Sequence, residues 1–311
     1  MAGQAEAQSA SAVLMIRPTA FCDNPQTRLS NPFQSGISDT KRSVTARVRA
    51  EFDSLVDVLR SNGVVTYVFE GRAQRDAPDE VFPNNWVSTH ADGTVVLYPM
   101  MAGNRRHERR SELFKTIDSD TDYHTTRMID LTAHEKHHRY LEGTGSLVLD
   151  RINRIAYANL SPRTHLDALE DFSKQLGYEI VSFEATDDQE RPIYHTNVLM
   201  SVGTGFAVIC SEAIKARTKR ARVLESLRSS GREVIEVRRQ QLTDFPANLL
   251  ELVTPDGPAI ALSSRAWGSL DKKQRGALAR HGRIITSTIP TIERMGGGSV
   301  RCMLAEIHLP H

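Results

Sequence analysis

Hydrophobic and polar positions along this chain change period in an order that keeps returning. Two short segments of period two flank a turn, an apolar stripe of helical period follows, and one more period-two segment closes the unit. Ser146–Asp150 and Ile155–Tyr157 form such a hairpin, followed by a helix near 163–177 and a strand over 179–183. Val198–Met200, the turn at 203–205 and Phe206–Ile209 open the next unit, which continues with a helix over 211–230 and a strand over 233–237. Leu249–Val253, the turn at 255–257, Ala259–Leu262, a helix near 266–281 and Ile284–Ile285 repeat the order. An earlier copy runs through Trp86–Val87, Thr94–Tyr98, a helix near 104–118 and Met128–Leu131.

The fifth copy is split between the two ends of the chain. Residues 300–309 supply one strand and Val13–Ile16 its partner, followed by a helix over 43–62 and a strand over 64–69. In that helix Val44, Val48, Phe52, Leu55 and Leu59 share one face, and Gly63 ends it. Five units of this size predict an α/β propeller, five ββαβ units around a central axis, closed by joining the termini in one unit. The competing reading is an α+β protein whose elements alternate without radial order. Residues 13–311 are expected to form a single domain, and the small polar residues 1–12 a disordered tail.

The chain has 311 residues, 40% of them hydrophobic, enough for one large core, and its formal net charge is +1. No long basic run occurs, which argues against nucleic acid or an anionic membrane as partner. Arg105-Arg106-His107-Glu108-Arg109-Arg110 reads as a solvated helix face holding one functional arginine. Three widely separated cysteines, Cys22, Cys210 and Cys302, build no disulfide framework and suit a reducing compartment. With no secretory pattern at the start, the cytoplasm is the expected location. A homodimer is compatible with the sequence, which does not fix the oligomeric state.

The start of each unit carries one chemically useful residue: Asn85, Glu142, His195, Asn248 and Cys302, at intervals of 57, 53, 53 and 54 residues. In a radial array equivalent positions converge on the axis, so a thiol, an imidazole, a carboxylate and two amides would share one pocket. A thiol can attack an electrophilic carbon, an imidazole can move protons, and a carboxylate can bind an N–H-rich group. Gly296-Gly297-Gly298 lets the backbone pass close to a ligand before Cys302, and Arg301 places a positive charge beside the sulfur in the sequence. Taken singly, His195 reads equally well as a structural histidine, and Asn84, Asn85 and Asn248 as turn formers. Their common phase is what sets them apart.

These stretches resemble the guanidino-group-modifying enzymes of the five-bladed pentein fold: arginine deiminases, dimethylarginine dimethylaminohydrolases, arginine dihydrolases and amidinotransferases. GGGSVRCM (296–303) is similar to their nucleophile loop, LEGTGS (141–146) to the segment of the catalytic acid, and YHTNV (194–198) to that of the catalytic histidine. The resemblance therefore implies catalytic roles for Cys302, Glu142 and His195. PDEVFPNN (78–85) and LSPRT (160–164) are similar to substrate-binding segments. Asp79, Asn84, Asn85, Arg163, Asn197 and Asn248 are implied to bind substrate, and Arg106 to join Arg163 on its carboxylate. The likeness is greatest to the citrulline-utilisation hydrolase subfamily, which shares Met15-Ile16-Arg17-Pro18 and Asn31-Pro32-Phe33-Gln34 as well.

The departures from the family pattern have chemical content. Gly145 and Asn197 stand where aspartates are usual, and Asn85 likewise. An amide donates and accepts without charge, which suits a neutral ureido group better than a cation. The expectation is a cysteine-dependent hydrolase of citrulline or arginine, needing neither metal nor cofactor and yielding ornithine, ammonia and CO2. The alternatives are a deiminase or dimethylarginine hydrolase giving citrulline, an amidinotransferase using an amine acceptor, and an amino-acid-binding protein. His134-Glu135-Lys136-His137-His138 fits H-E-x-x-H formally, but the stretch is too short for a zinc helix. The turn-rich segment 19–41 is expected to cover the pocket as a lid.

Overall fold

One pairing rule builds five three-stranded sheets. The first strand of each runs antiparallel to the second, across a tight turn in four sheets and between the two ends of the chain in the fifth, and the third lies parallel to the second, reached by a helical crossover. In chain order four sheets comprise Val87–Thr89, Thr94–Leu97 and Arg127–Asp130; Leu147–Asp150, Ile155–Asn159 and Glu179–Phe183; Met200–Val202, Phe206–Ile209 and Glu233–Glu236; and Leu250–Thr254, Gly257–Ser263 and Arg283–Ser287. The fifth joins Ala305–Ile307, Ala12–Arg17 and Val65–Glu70, with Leu14 opposite Ala305 on one side and Tyr67 on the other. The computed structural model describes residues 6–35, 41–72 and 77–311.

First strands of neighbouring sheets touch, Ala305–Ile307 with Val87–Thr89, and Met200–Val202 with both Leu147–Asp150 and Leu250–Thr254. They therefore line the axis, and the helices lie outside. Apolar clusters fill the wedges between sheets; one joins Val13 and Met15 to Leu252, Ala259 and Ile285. Into that wedge the helix Lys41–Ser61 lowers Val44, Val48, Phe52, Leu55 and Leu59, all buried. This seam between the first and last parts of the chain closes the ring, as the split unit predicts.

Three helices depart from their expected course. The stretch 104–118 divides into a 3-10 turn, Asn104–Glu108, and a helix, Glu112–Asp120, because Arg105 and Glu108 turn inward. The stretch 266–281 divides into Ser264–Ser269 and Lys272–Leu278, the second started by a capping box between Asp271 and Gln274. The third begins at Arg217 rather than 211. The strand expected over 300–309 shrinks to Ala305–Ile307, since Val300–Met303 coils into a 3-10 turn.

The expected tail over 1–12 needs correction from residue 6 onward. Glu6, Gln8, Ser9 and Ala10 are buried. Gln8 Nε2 donates to the carbonyls of Leu149 (2.9 Å) and Val202 (3.2 Å), Ser9 bonds Glu251, and the Val253 amide donates to the Ala10 carbonyl. Short polar residues here serve as hydrogen-bond partners for neighbouring sheets. Composition alone does not distinguish that role from disorder.

Candidate active site

Each of the five phase-matched residues precedes the inner strand of its own sheet, so the turns that carry them meet at one end of the axis. Asn85 ends the 3-10 turn Pro83–Asn85, Glu142 precedes the turn Gly143–Ser146, and His195 precedes Thr196–Leu199. Asn248 lies just before Leu250–Thr254, and Cys302 within Val300–Met303. All five are buried. Gly143 makes the convergence possible: its φ is +47°, and a Cβ there would lie 2.2 Å from the Asn84 carbonyl oxygen. Two turns thus pass in backbone contact.

Cys302, His195, Asn85, Arg105, Arg163 and Asp79 line one small cavity, together with Tyr194, Phe82, Thr27 and Asn31. The Cys302 sulfur is flanked by two amides, Asn248 Nδ2 at 3.4 Å and Asn197 Nδ2 at 3.6 Å. Asn248 is itself fixed, donating to the Asn197 carbonyl at 3.0 Å and accepting from the Arg301 amide at 3.1 Å. His195 Nε2 lies 2.9 Å from Glu142 Oε2. Glu142 Oε1 accepts from the Met101 amide at 3.1 Å, and Oε2 receives Arg163 Nη1 at 3.4 Å.

These contacts set the charges. Burial disfavours a charged Glu142, but Arg163, His195 and Arg105 outweigh it and hold the carboxyl well below its usual range. Burial pushes His195 down to about 4; the Glu142 hydrogen bond opposes this, and Arg163 and Arg105 reinforce it. At neutral pH the pair is a carboxylate beside a neutral imidazole, able to accept a proton. Burial also raises Asp79 above the ordinary aspartate range, against the pull of Arg105 and of a hydrogen bond from Asn24. One Asp79 oxygen accepts from Asn24 Nδ2 at 2.7 Å, and the other has no partner.

The structure does not bring Arg106 to this cavity. Its Nε donates to the Met100 carbonyl at 3.1 Å and lies 3.2 Å from Glu135. Arg105 takes the place instead: it is buried, donates from Nη1 to Asn85 Oδ1 at 2.9 Å, and is gripped by Glu108. Solvated-face reasoning missed it, although the Arg105–Glu108 spacing of three residues was visible. Asn84 also stands back from the cavity; its Nδ2 donates to Thr144 Oγ1 at 3.3 Å and its Oδ1 accepts from Asn85. Arg301 turns away from the sulfur to Glu306 (2.7 Å) and the Leu304 carbonyl, so its guanidinium serves a separate cavity.

Gly145, where the resembling family has an aspartate, has a local cause. A Cβ there would come within 2.6 Å of His195 Nδ1 and 2.5 Å of Asn85 Nδ2. With the imidazole in this place only glycine fits.

Of the segment expected as a lid, Thr27 and Asn31 line the cavity, while residues 36–40 fall outside the described residues. Asn24 caps the short helix Pro25–Arg28, Asn31 Nδ2 donates to the Gly296 carbonyl at 3.2 Å, and Ser30 Oγ accepts from Arg163 Nη2 at 2.7 Å. Tyr194, not singled out by sequence, bonds the Gly297 carbonyl and lies under the Arg163 guanidinium at 4.8 Å. The H-E-x-x-H stretch forms a 3-10 turn, Thr132–His137, whose Glu135 is occupied by Arg109, Arg106 and the Met100 amide. Among the described residues no group of three or more His, Cys, Asp or Glu side chains could hold a metal ion, and no helix is long and apolar enough to cross a membrane.

A five-bladed α/β propeller with cysteine, histidine and glutamate brought to one end of its axis defines the guanidino-modifying class. The chain belongs to the family described as N,N dimethylarginine dimethylhydrolase, eukaryotic, whose model matches residues 17–309. No curated protein matches it in sequence. Among solved structures, the N-terminal domain of ArgZ, an arginine dihydrolase from the ornithine–ammonia cycle in cyanobacteria, is similar with a TM-score of 0.73 and 19% identity, over 96% of this chain and 98% of that one. A mutant of AgrE in complex with L-arginine gives 0.73 and 18%, over 96% of this chain and 40% of that one. A dimethylarginine dimethylaminohydrolase adduct with S-methyl-L-thiocitrulline gives 0.63 and 12%, over 96% and 100%. At these identities the structures establish the fold, pentein, and the family match establishes a guanidino-modifying hydrolase.

Proposed function

We propose that the protein hydrolyses the ureido or guanidino group of citrulline or arginine through a covalent adduct on Cys302, with ornithine, ammonia and CO2 as products. The observation that carries this reading is one small cavity lined by Cys302 and His195, the sulfur flanked by two amides and the imidazole hydrogen-bonded to Glu142. His195 takes the Cys302 proton as the sulfur attacks the planar carbon, then gives it to the departing nitrogen. With citrulline, loss of ornithine leaves a carbamoyl group on sulfur. Water, activated by His195, returns the thiol and releases carbamate, which separates into ammonia and CO2. Arginine needs one hydrolysis more, ammonia leaving first.

Substrate anchoring follows from the same charges. Arg163 and Arg105 would hold the amino-acid carboxylate, and the unpartnered Asp79 oxygen its ammonium. Asn85, in the cavity lining, offers a neutral amide to the head group, while Asn197 and Asn248 aim their amides at the sulfur. The family match favours a second reading, hydrolysis of methylated arginine to citrulline.

Purified protein should be assayed against citrulline, arginine, agmatine and methylated arginines, scoring ornithine, citrulline, ammonia and CO2 separately. Ornithine with CO2 from citrulline is expected. Citrulline accumulating as the end product of arginine or of methylated arginine would replace this reading with a deiminase or a dimethylarginine hydrolase. A strict need for an amine acceptor would make it an amidinotransferase.

A further inference from the structure

A second cavity lies on the axis, where Leu149, Ser201, Glu251 and Glu306 meet from four inner strands. Its volume is about 30 Å³, room for a water molecule or two. Two of its polar atoms, Arg151 Nη2 and Ser201 Oγ, have no protein partner, although the residues are only 2% and 6% exposed. A buried donor without an acceptor is costly unless a ligand supplies one. The surrounding charges disfavour an anion: Arg151 and Arg301 already face Glu6 and Glu306, and Glu251 adds a further carboxyl. Water accepts from Arg151 and exchanges hydrogen bonds with Ser201 without adding charge, so it is the ligand this lining fits.

One end of this cavity reaches the nucleophile. Asn197 lines it and places Nδ2 3.6 Å from the Cys302 sulfur. Thr144 lines it too, and at the next residue, Gly145, a Cβ would stand 2.6 Å from His195 Nδ1. Because His195 Nε2 donates to the Glu142 carboxylate, Nδ1 is the nitrogen left to take a proton. At the other end Gln8 lines the cavity, its Nε2 donating to the Leu149 and Val202 carbonyls and its Oε1 accepting from the Arg151 amide. The sulfur and the base therefore border the axial cavity on one side and the substrate cavity on the other.

We propose that this axial site, built from Arg151 and Ser201 and bordered by Asn197, holds the water that hydrolyses the Cys302 adduct. That role rests on the reading of Cys302 as the carrier of the reacting carbon. After the first half of the reaction, ornithine still occupies the substrate side, where Arg163, Arg105 and Asp79 hold its amino-acid end. Water stored on the axial side reaches the carbon without waiting for ornithine to leave. Its oxygen bonds the carbamoyl carbon and one proton passes to His195. The carbon–sulfur bond then breaks, and the sulfur takes that proton back as carbamic acid departs. The same arrangement favours hydrolysis over transfer, because an amine acceptor has to enter through the substrate side.

The test follows the rise and decay of the Cys302 adduct by rapid acid quench during one turnover of citrulline, in the wild type, Ser201→Ala and Ser201→Val. Ser201→Val fills the cavity and removes the hydroxyl. Its adduct should form, and ornithine appear, at the wild-type rate, while adduct decay slows by about tenfold, the worth of one hydrogen bond. Ser201→Ala, which keeps the room, should fall between. Equal slowing of formation and decay, or no slowing of decay in the folded Ser201→Val protein, would overturn the proposal and leave the hydrolase reading standing. A second measurement uses the wild type alone with L-norvaline, which has the amino-acid end of ornithine without its side-chain amine. At concentrations that compete fully with citrulline, norvaline should leave adduct decay unchanged. Decay that falls as norvaline saturates would bring the water in through the substrate side and overturn the proposal. A wild type that forms no adduct on Cys302 from citrulline or arginine would overturn the hydrolase reading as well.

Discussion

Guanidinium groups are buried at both ends of the ring axis, but they are held in opposite ways. At the end away from Cys302, Arg232 is enclosed by Asp150 (2.5 and 3.0 Å) and the Gly203 carbonyl. Arg151 meets Glu6 at 2.5 Å, and Arg301 meets Glu306 at 2.7 Å. Arg232 has Asp150 to itself, Glu6 and Glu306 between them balance Arg151 and Arg301, and the segment from Glu6 to Ala10 packs across the sheets around them. At the Cys302 end Arg105 and Arg163 share acids with His195, one Asp79 oxygen is unpartnered, and carboxyls outnumber guanidiniums. Balanced groups hold sheets together; an unbalanced set with an unpartnered carboxyl oxygen leaves capacity for a ligand. The second cavity, lined by Arg151, Arg301, Glu251 and Glu306, also leaves Arg151 Nη2 and Ser201 Oγ without protein partners, a lining that suits ordered water.

Substitutions at the two ends should separate activity from stability. Cys302→Ala should lower kcat/KM by about 10⁴-fold or more, since residues acting as one catalytic unit lose most of the rate together. Its unfolding midpoint in denaturant should stay close to the wild type. Asp150→Ala should do the reverse. It leaves Arg232 buried without its acid and should cost about 3–5 kcal/mol in equilibrium unfolding, with kcat preserved in the folded fraction.

Gly145→Ala sharpens the comparison at the Cys302 end. The added methyl collides with His195 and Asn85, and a displaced base should reduce kcat by roughly 10²-fold. Thermal melting should change far less, and a full-rate Gly145→Ala enzyme would show that the imidazole is not held where it acts.

The two ends also differ in their response to acid. His195, pushed down to about 4, must stay neutral to accept a proton, so kcat/KM should be flat near neutrality and fall on the acid side around that value. Glu6 and Glu306 are held below the usual carboxylate range; burial opposes this, but Arg151 prevails at Glu6, and Arg301 with Arg151 at Glu306. Their contribution to stability is present above the unfolded-state value of 4.5 and is lost as pH falls toward the folded-state values. Rate and unfolding free energy measured against pH on the same preparation would distinguish the two losses.

How far the sequence reveals this molecule depends on the range of the interaction concerned. The strand of Glu179–Phe183, the apolar face from Val44 to Leu59 and the seam between residues 13–16 and 300–309 follow from period and spacing, which are local or repeated. The convergence of Asn85, Glu142, His195, Asn248 and Cys302 on one end of the axis is legible for the same reason, because one phase recurs in five units. Arg105 and Arg106 are indistinguishable by type, and only the break of the helix at Glu108 decides which faces inward. Gln8 and Glu6 look like tail residues because their partners lie 141 and 145 positions away, at Leu149 and Arg151. Contacts of that length leave no periodic trace.

The central claim, that Cys302 carries the reacting carbon, can be tested by quenching a reaction with citrulline or arginine in acid and weighing the peptide that contains Cys302. A carbamoyl or amidino-type addition on that sulfur, absent from Cys302→Ala and lost on continued incubation before the quench, is the expected result. Product formation without any adduct, at an undiminished rate in Cys302→Ala, would contradict the account.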